Sequence, residues 1–446
     1  MRLYKTFPQV LFIIFIYSGA LWASSGDPAD TYFAEGLEFF RNRQFSKAIT
    51  AYSKAIAARP GFTKAYYNRG TARLNLNQYT EAISDYSRVL DSEPEHLKAH
   101  LYRGFCHLKQ KRYQIAQADF DAVITQDATN TDALFNRGVV LMKQELFSAA
   151  ISDFNQTVRF QPEHREAYFC RGYCYSQIED LPQALADYNQ QIRVNPAHTH
   201  VYLNKANTEM RLEMYQEARL SYHKVLTLEP DNVDAYHGRG LAHLQLQQFE
   251  QSIYDFSEAI RLQPDFMSSY KNRALAYIEL QRKSDALQDL EQYLKHDPYD
   301  KQTLLTLGRL QNEMEEYAKA ERTMTRLLND HPEEEQAYLL RGFANQKTGH
   351  HRQALEDFST ALNLKPDHEN ALFNRGNLYF ELGEWQNSIK DFGDLIRINN
   401  SNDASYLMRA KARINASEVA DGCLDLKKAR SLGSEKAKEL LIRYCK

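Results

Sequence analysis

Asn136-Arg137-Gly138 decides how this chain is read, because the same triplet stands at Asn68-Arg69-Gly70 and at Asn374-Arg375-Gly376. Asn68 and Asn136 are 68 residues apart, twice 34, and Asn68 and Asn374 are 306 apart, nine times 34. Counting outward from the triplet gives a frame in which a recurrent proline is position 32: Pro60, Pro94, Pro162, Pro196, Pro230, Pro264, Pro298, Pro332 and Pro366. The glycine of the triplet is position 8, and it is Gly or Ala in all twelve periods, from Gly36 to Ala410. Position 20 is equally small throughout, from Ala48 to Gly422, and position 24 is large, as in Tyr52, Phe154, Leu290 and Phe392. Small residues at 8 and 20 predict two helices crossing closely, with the position-24 side chain as the knob between them. The proline then closes the second helix, which it cannot continue. A fixed period of this length means one supersecondary unit repeated, so the 446 residues need not be two or three unrelated domains.

The pattern resembles the tetratricopeptide repeat family. The resemblance covers nearly all of residues 29–434 and implies an all-α fold, a right-handed α-solenoid of twelve helix-turn-helix repeats. Ala437, Leu440, Leu441 and Tyr444 share one helical face, so residues 435–446 are expected to form a C-terminal capping helix over the last open core face. Residues 1–25 read as a signal peptide. Arg2 and Lys5 precede an apolar stretch from Val10 to Ile16, and small residues follow at Ser18-Gly19-Ala20 and Ala23-Ser24-Ser25. The stretch is short for a membrane span, and an uncleaved anchor is the other reading of it. Either way the bulk of the chain is expected to be exported, to the periplasm or outside the cell, with membrane contact only through that segment.

Charges vary in step. Position 7 is Arg in nine repeats, and position 23 is Asp in the same nine, as in Arg137 and Asp153. Repeats one, six and nine lack both: Glu35 with Ala51, Lys205 with Ser221, and Leu307 with Thr323. Had each Asp served the next repeat's Arg, the losses would be offset by one repeat. Their coincidence predicts a structural ion pair inside each repeat, in which an Arg fork grips a carboxylate. The competing reading, a charged ligand track, fits matched pairs less well.

Composition narrows function. A formal charge of −3 argues against a nucleic-acid partner, which needs a concentrated basic surface. There is no phosphate-cradling glycine loop, His-Glu-x-x-His helix or nucleophile elbow. The repeats leave no room for a catalytic domain, so the chain is expected to be no enzyme, with no cofactor and no metal. His198 and His200 share a turn, as do His350 and His351, without further ligands at metal spacing. Cys106 and Cys174 occupy position 10, where other repeats have Ala, and read as small buried residues. Cys423 and Cys445 lie ten residues before and twelve after Gly433. Across an antiparallel helix pair they face each other, and a disulfide stapling the cap is expected in an exported protein.

In the resembled family the first helices line a concave groove that takes a peptide or protein partner. Family groove positions include 5, 6 and 9. Here they carry Phe33, Tyr67, Phe135, Phe169 and Phe373 at 5, Asn68, Asn136, Asn204, Asn272 and Asn374 at 6, and Phe105, Tyr173 and Phe343 at 9. Rings would supply apolar contact, and carboxamides would bond a peptide main chain. The carboxylate-clamp subtype is disfavoured, since no repeat joins Lys at 5 to Asn at 9. The expected function is a non-enzymatic scaffold for an unknown protein or peptide. The alternatives are a structural spacer or assembly subunit of an envelope or secretion complex, or the specificity subunit of an enzyme complex.

Overall fold

The computed structural model describes residues 26–445, so the signal-peptide reading of residues 1–25 lies outside the described residues. Those residues form 25 α-helices in consecutive helix-turn-helix pairs and no strand. A repeat is a first (A) helix, a tight turn and a second (B) helix. In repeat four these are Thr131–Lys143 and Phe147–Phe160. The side chain of Asn130 caps the A helix by accepting from the Ala133 N–H at 3.1 Å, which satisfies one donor the helix leaves open.

The A–B turn shows a feature that the sequence hides. Its position-15 residue has positive φ in every repeat, yet only Gly349 and Gly383 are glycines. The others include Lys111, Glu145 and Gln281, at φ 61°, 62° and 58°. Each such residue costs about 1 kcal/mol relative to glycine. In repeat four the Glu145 N–H donates to Met142 O at 3.1 Å and the Leu146 N–H to Leu141 O at 2.9 Å. These are the C-terminal cap bonds that hold a left-handed residue in place.

The chain divides into two compact units, residues up to Leu212 and residues from Glu213 onward. In the first, Tyr52, Tyr86, Phe120, Phe154 and Tyr188 form a series of position-24 knobs, all fully buried. In the second, Phe256, Leu290, Met324, Phe358, Phe392 and Leu426 do the same. Positions 8 and 24 compensate in volume. A Cβ built on Gly138 would lie 2.7 Å from the Phe154 ring, and one on Gly240 would lie 2.8 Å from that of Phe256. Where position 8 gains a methyl, as in Ala274 and Ala410, position 24 shrinks to Leu290 and Leu426. Tyr222 is accommodated differently: its ring lies against Gly238 of the following repeat, which leaves no room for a Cβ there.

The final helix, Glu435–Tyr444, closes the second unit. Ala437 is buried, and Leu440 and Leu441 pack against the cluster that it forms with residues such as Leu407, Leu426 and Ala429. Tyr444 departs from the expected face. It is 39% exposed and lies under the Arg443 guanidinium, while Cys445 takes the inward place. The helix ends at Tyr444, and Cys445 is drawn in by a disulfide to Cys423, with Cα atoms 5.8 Å apart.

Candidate functional site

The charge ladder forms inside the repeats. Arg69, Arg103, Arg137, Arg171, Arg239, Arg273, Arg341, Arg375 and Arg409 each bond the Asp sixteen residues on, across their own hairpin. Arg137 places Nε 2.8 Å and Nη2 2.7 Å from the two oxygens of Asp153. The carboxylates are buried, with Asp153 3% exposed. Hydrogen bonding to Asp153 is the main cause that raises the Arg137 pKa above its ordinary range. Burial pushes the Asp187 and Asp289 carboxyls up, against the pull of Arg171 and Arg273. Desolvation therefore cancels much of the attraction, as expected for buried pairs.

The third nitrogen does what the Arg–Asp pattern alone did not reveal. Nη1 reaches the position-25 side chain of the preceding B helix: Ser53, Ser87, Asp121, Asn155, His223, Ser257, Thr325 and Ser359 in turn. The signal lay in the persistently polar position 25. Arg409 is the exception, because its position-25 neighbour is Gly393. The other eight guanidiniums thus tie two neighbouring repeats as well as one hairpin, and all nine are structural groups.

The position-5 rings are also spent on structure. Phe135 lies 5.8 Å from Phe154 and 4.4 Å from His164, and is only 7% exposed. Phe169 packs between Tyr188 and His198, Tyr67 between Tyr86 and His96, and Phe33 between Tyr52 and Phe62. Phe373 meets Phe392. Each is a wedge between its own position-24 knob and, in four of the five, the turn that follows. These rings do not form the open aromatic wall that the sequence suggested. The position-6 amides are partly committed too. Asn68, Asn136 and Asn272 donate Nδ2 back to Lys64 O, Asp132 O and Ser268 O of their own helices. Asn136 is buried, whereas Asn204 and Asn374 are half-buried.

The position-9 rings remain. Positions 2, 6, 9 and 13 lie on one stripe of the A helix. Phe105 is half-buried and carries Lys109 Nζ 4.9 Å from its centre. Phe343 repeats the arrangement with Lys347 at 5.4 Å. Tyr173 is half-buried and meets Phe147 in a T-shaped contact. Around them Lys64, Lys98, Asp132 and Asn75 are exposed. Position 13 in the first unit holds Arg41, Asn75, Lys109, Lys143, Gln177 and Arg211, without a carboxylate. Burial lowers the pKa of Lys109 and Lys143. In the second unit the same position holds Gln245, Glu279, Glu313, Lys347, Glu381 and Asn415. At position 13 the first unit is therefore cationic, whereas the second carries charges of both signs beside its rings.

Among the described residues no group of three or more His, Cys, Asp or Glu side chains could hold a metal ion. No helix there is long and apolar enough to cross a membrane. Cys106, Cys170 and Cys174 are buried free thiols, and burial pushes Cys106 and Cys174 up to about 12. They are poor nucleophiles.

Tetratricopeptide repeat family models match residues 33–86, 67–133, 107–159, 135–198, 199–232, 233–266, 277–342 and 344–404. The chain belongs to the tetratricopeptide repeat family. No curated protein matches it in a sequence search. Among solved structures it is similar to YrrB, described as a TPR protein with an unusual peptide-binding site. That likeness has 18% identity and a TM-score of 0.39, over 41% of this chain and 95% of that one. It is also similar to the C-terminal part of a TPR repeat-containing protein from Cytophaga hutchinsonii, with 20% identity and a TM-score of 0.47, over 53% and 97%. A third is the Cut9–Hcn1 hetero-tetramer of the APC/C, with 12% identity and a TM-score of 0.39, over 94% and 96%. Nothing functional follows from likenesses at that level. Proteins of this repeat family are in general protein-interaction scaffolds.

Proposed function

We propose that this protein is a non-enzymatic scaffold that holds an extended peptide segment of a protein partner along the exposed stripe of its A helices. The observation that carries the reading is the recurrence of one arrangement in both units. Phe105 with Lys109 and Phe343 with Lys347 each offer a half-buried ring under an ammonium, on the side of the hairpin that structural pairing leaves open. A ring face with a cation beside it takes an apolar side chain and an acceptor of the same segment together. The wedged rings at position 5 give this stripe a rigid base, which lowers the ordering cost of binding. The arginines are unavailable to a ligand, since all nine bond an Asp. The signal-like residues 1–25 support an exported setting for this activity.

The experiment is a pull-down from the native compartment with Phe105→Ala and Phe343→Ala. Substituting Phe135 or Phe169 instead would confound binding with folding, because those rings are packed inside. Loss of the partner with the position-9 variants, at unchanged melting temperature, supports groove capture. Full retention favours a spacer whose partner sits elsewhere.

A further inference from the structure

In eight of the nine clamped repeats the position-7 guanidinium links its own B helix to the one before. Repeat nine has Leu307 and Thr323 instead, and Thr323 Oγ1 donates to Gln311 Oε1 at 2.8 Å. A cleft of about 310 Å³ opens where the bridge is missing, between the B helices Lys283–His296 and Tyr317–Asp330. Its floor is apolar, made by Leu294 and the buried Leu307. Its rim carries four cations, Lys295, Lys319, Arg322 and Arg326, against one carboxylate, Glu291. Lys319 is held by Glu316 at 2.9 Å, Lys295 by Gln292 at 2.9 Å and Arg326 by the Pro298 carbonyl at 2.5 Å. Arg322 is exposed and bonds nothing among the described residues.

We infer that this cleft is a second binding site, on the B-helix side of the second unit, for a glutamate or aspartate side chain of an acidic peptide. The clamp slot has lost its resident carboxylate along with its arginine, while the rim has kept an excess of cations. A carboxylate entering the slot meets the unpaired fork of Arg322, which it can accept from bidentately. Lys295 and Lys319 can turn from a neutral amide and a same-helix carboxylate to the new charge. An apolar residue beside that carboxylate covers Leu294 and Leu307. An arginine would match the shape of the missing guanidinium, but it would enter against four like charges and is disfavoured.

The test uses the full chain and two fluorescein-labelled peptides, one alternating Glu with Leu and the other alternating Gln with Leu. The Glu peptide is expected to bind at least tenfold tighter, with the preference shrinking as salt is raised. Arg322→Glu, at an exposed position, reverses the local charge without touching the core and abolishes the preference. Leu307→Arg with Thr323→Asp rebuilds the clamp, fills the cleft and abolishes it as well. Equal binding of the two peptides overturns the inference. A preference that survives Arg322→Glu also overturns it, since the peptide is then bound elsewhere, for instance at the A-helix lysines. Phe105→Ala separates the sites, because it weakens the groove and leaves this preference intact.

Discussion

Arg137 grips Asp153 across its own hairpin and Asp121 on the preceding repeat at the same time, with three nitrogens at 2.8, 2.7 and 2.7 Å. Removing the guanidinium strands the buried Asp153 carboxylate, whereas Asp121 is exposed enough to rehydrate. Arg137→Ala is therefore expected to cost about 3 kcal/mol. Arg137→Leu with Asp153→Thr installs the pair that repeat nine already uses, and should cost clearly less. Chemical denaturation of the three proteins checks the order. A harmless single change would mean that the pair is solvated.

The volume exchange between positions 8 and 24 predicts a position-specific glycine effect. Gly138→Ala drives a methyl into the Phe154 ring, 2.7 Å away, and should cost about 1–3 kcal/mol. Adding Phe154→Leu should recover part of that loss, as Ala274 with Leu290 shows. Gly61→Ala is the control, since nothing lies within 4 Å of the added carbon. Melting curves compare the three.

Burial lowers the His237 pKa to about 4, with Asp234 opposing. The ring lies between Phe256 and Phe266, and Nδ1 meets Ser269 Oγ at 2.9 Å. The neutral form is the one the fold accepts. Below pH about 6.5 the unfolded chain takes up the proton and the folded chain does not. Stability is thus complete above about 6.5 and falls as pH drops from there toward 4, by up to about 3 kcal/mol from this residue. Burial lowers His107, His164 and His243 in the same direction. His237→Phe, the residue type found at position 5 in repeats four and five, should flatten the dependence in part. Melting temperatures from pH 7 to pH 4 measure it.

The disulfide between Cys423 and Cys445 encloses a short loop, at a sequence separation of 22. Reduction should cost about 3 kcal/mol and loosen the final helix first. Hydrogen exchange across residues 435–445, with and without reductant, reports that loosening. Equal protection in both states would mean that Leu440 and Leu441 hold the helix unaided.

Most of the architecture could be read from the repeat. Gly138, Ala150 and Phe154 recur because two helices cross at a fixed distance, and a fixed distance leaves a fixed period in side-chain volume. The Arg–Asp pairing was readable because its losses coincide. Side-chain direction was less so. Spacing places Phe135 on the A helix, but whether its ring points outward or wedges against Phe154 depends on the neighbouring turn, here His164. The left-handed turns at Lys111 and Glu145 were hidden because their residues are ordinary, and the cap bonds impose the conformation. The link from Arg137 to Asp121 was missed because position 25 varies among Ser, Asp, Asn, His and Thr, which share only an atom that can accept from Nη1. The repeat-nine cleft was visible in sequence only as a gap in the ladder.

The most direct test of the scaffold reading is site-specific photocrosslinking in the native compartment. A photoreactive residue is placed at Phe105 or Phe343 on the A-helix stripe, and at the exposed Tyr254 on a B helix for comparison. Specific crosslinked adducts at 105 and 343 that are absent at 254, and that Lys109→Glu or Lys347→Glu diminishes, are the predicted result. Adducts at 254 with none at 105 or 343 would contradict peptide capture along the A helices.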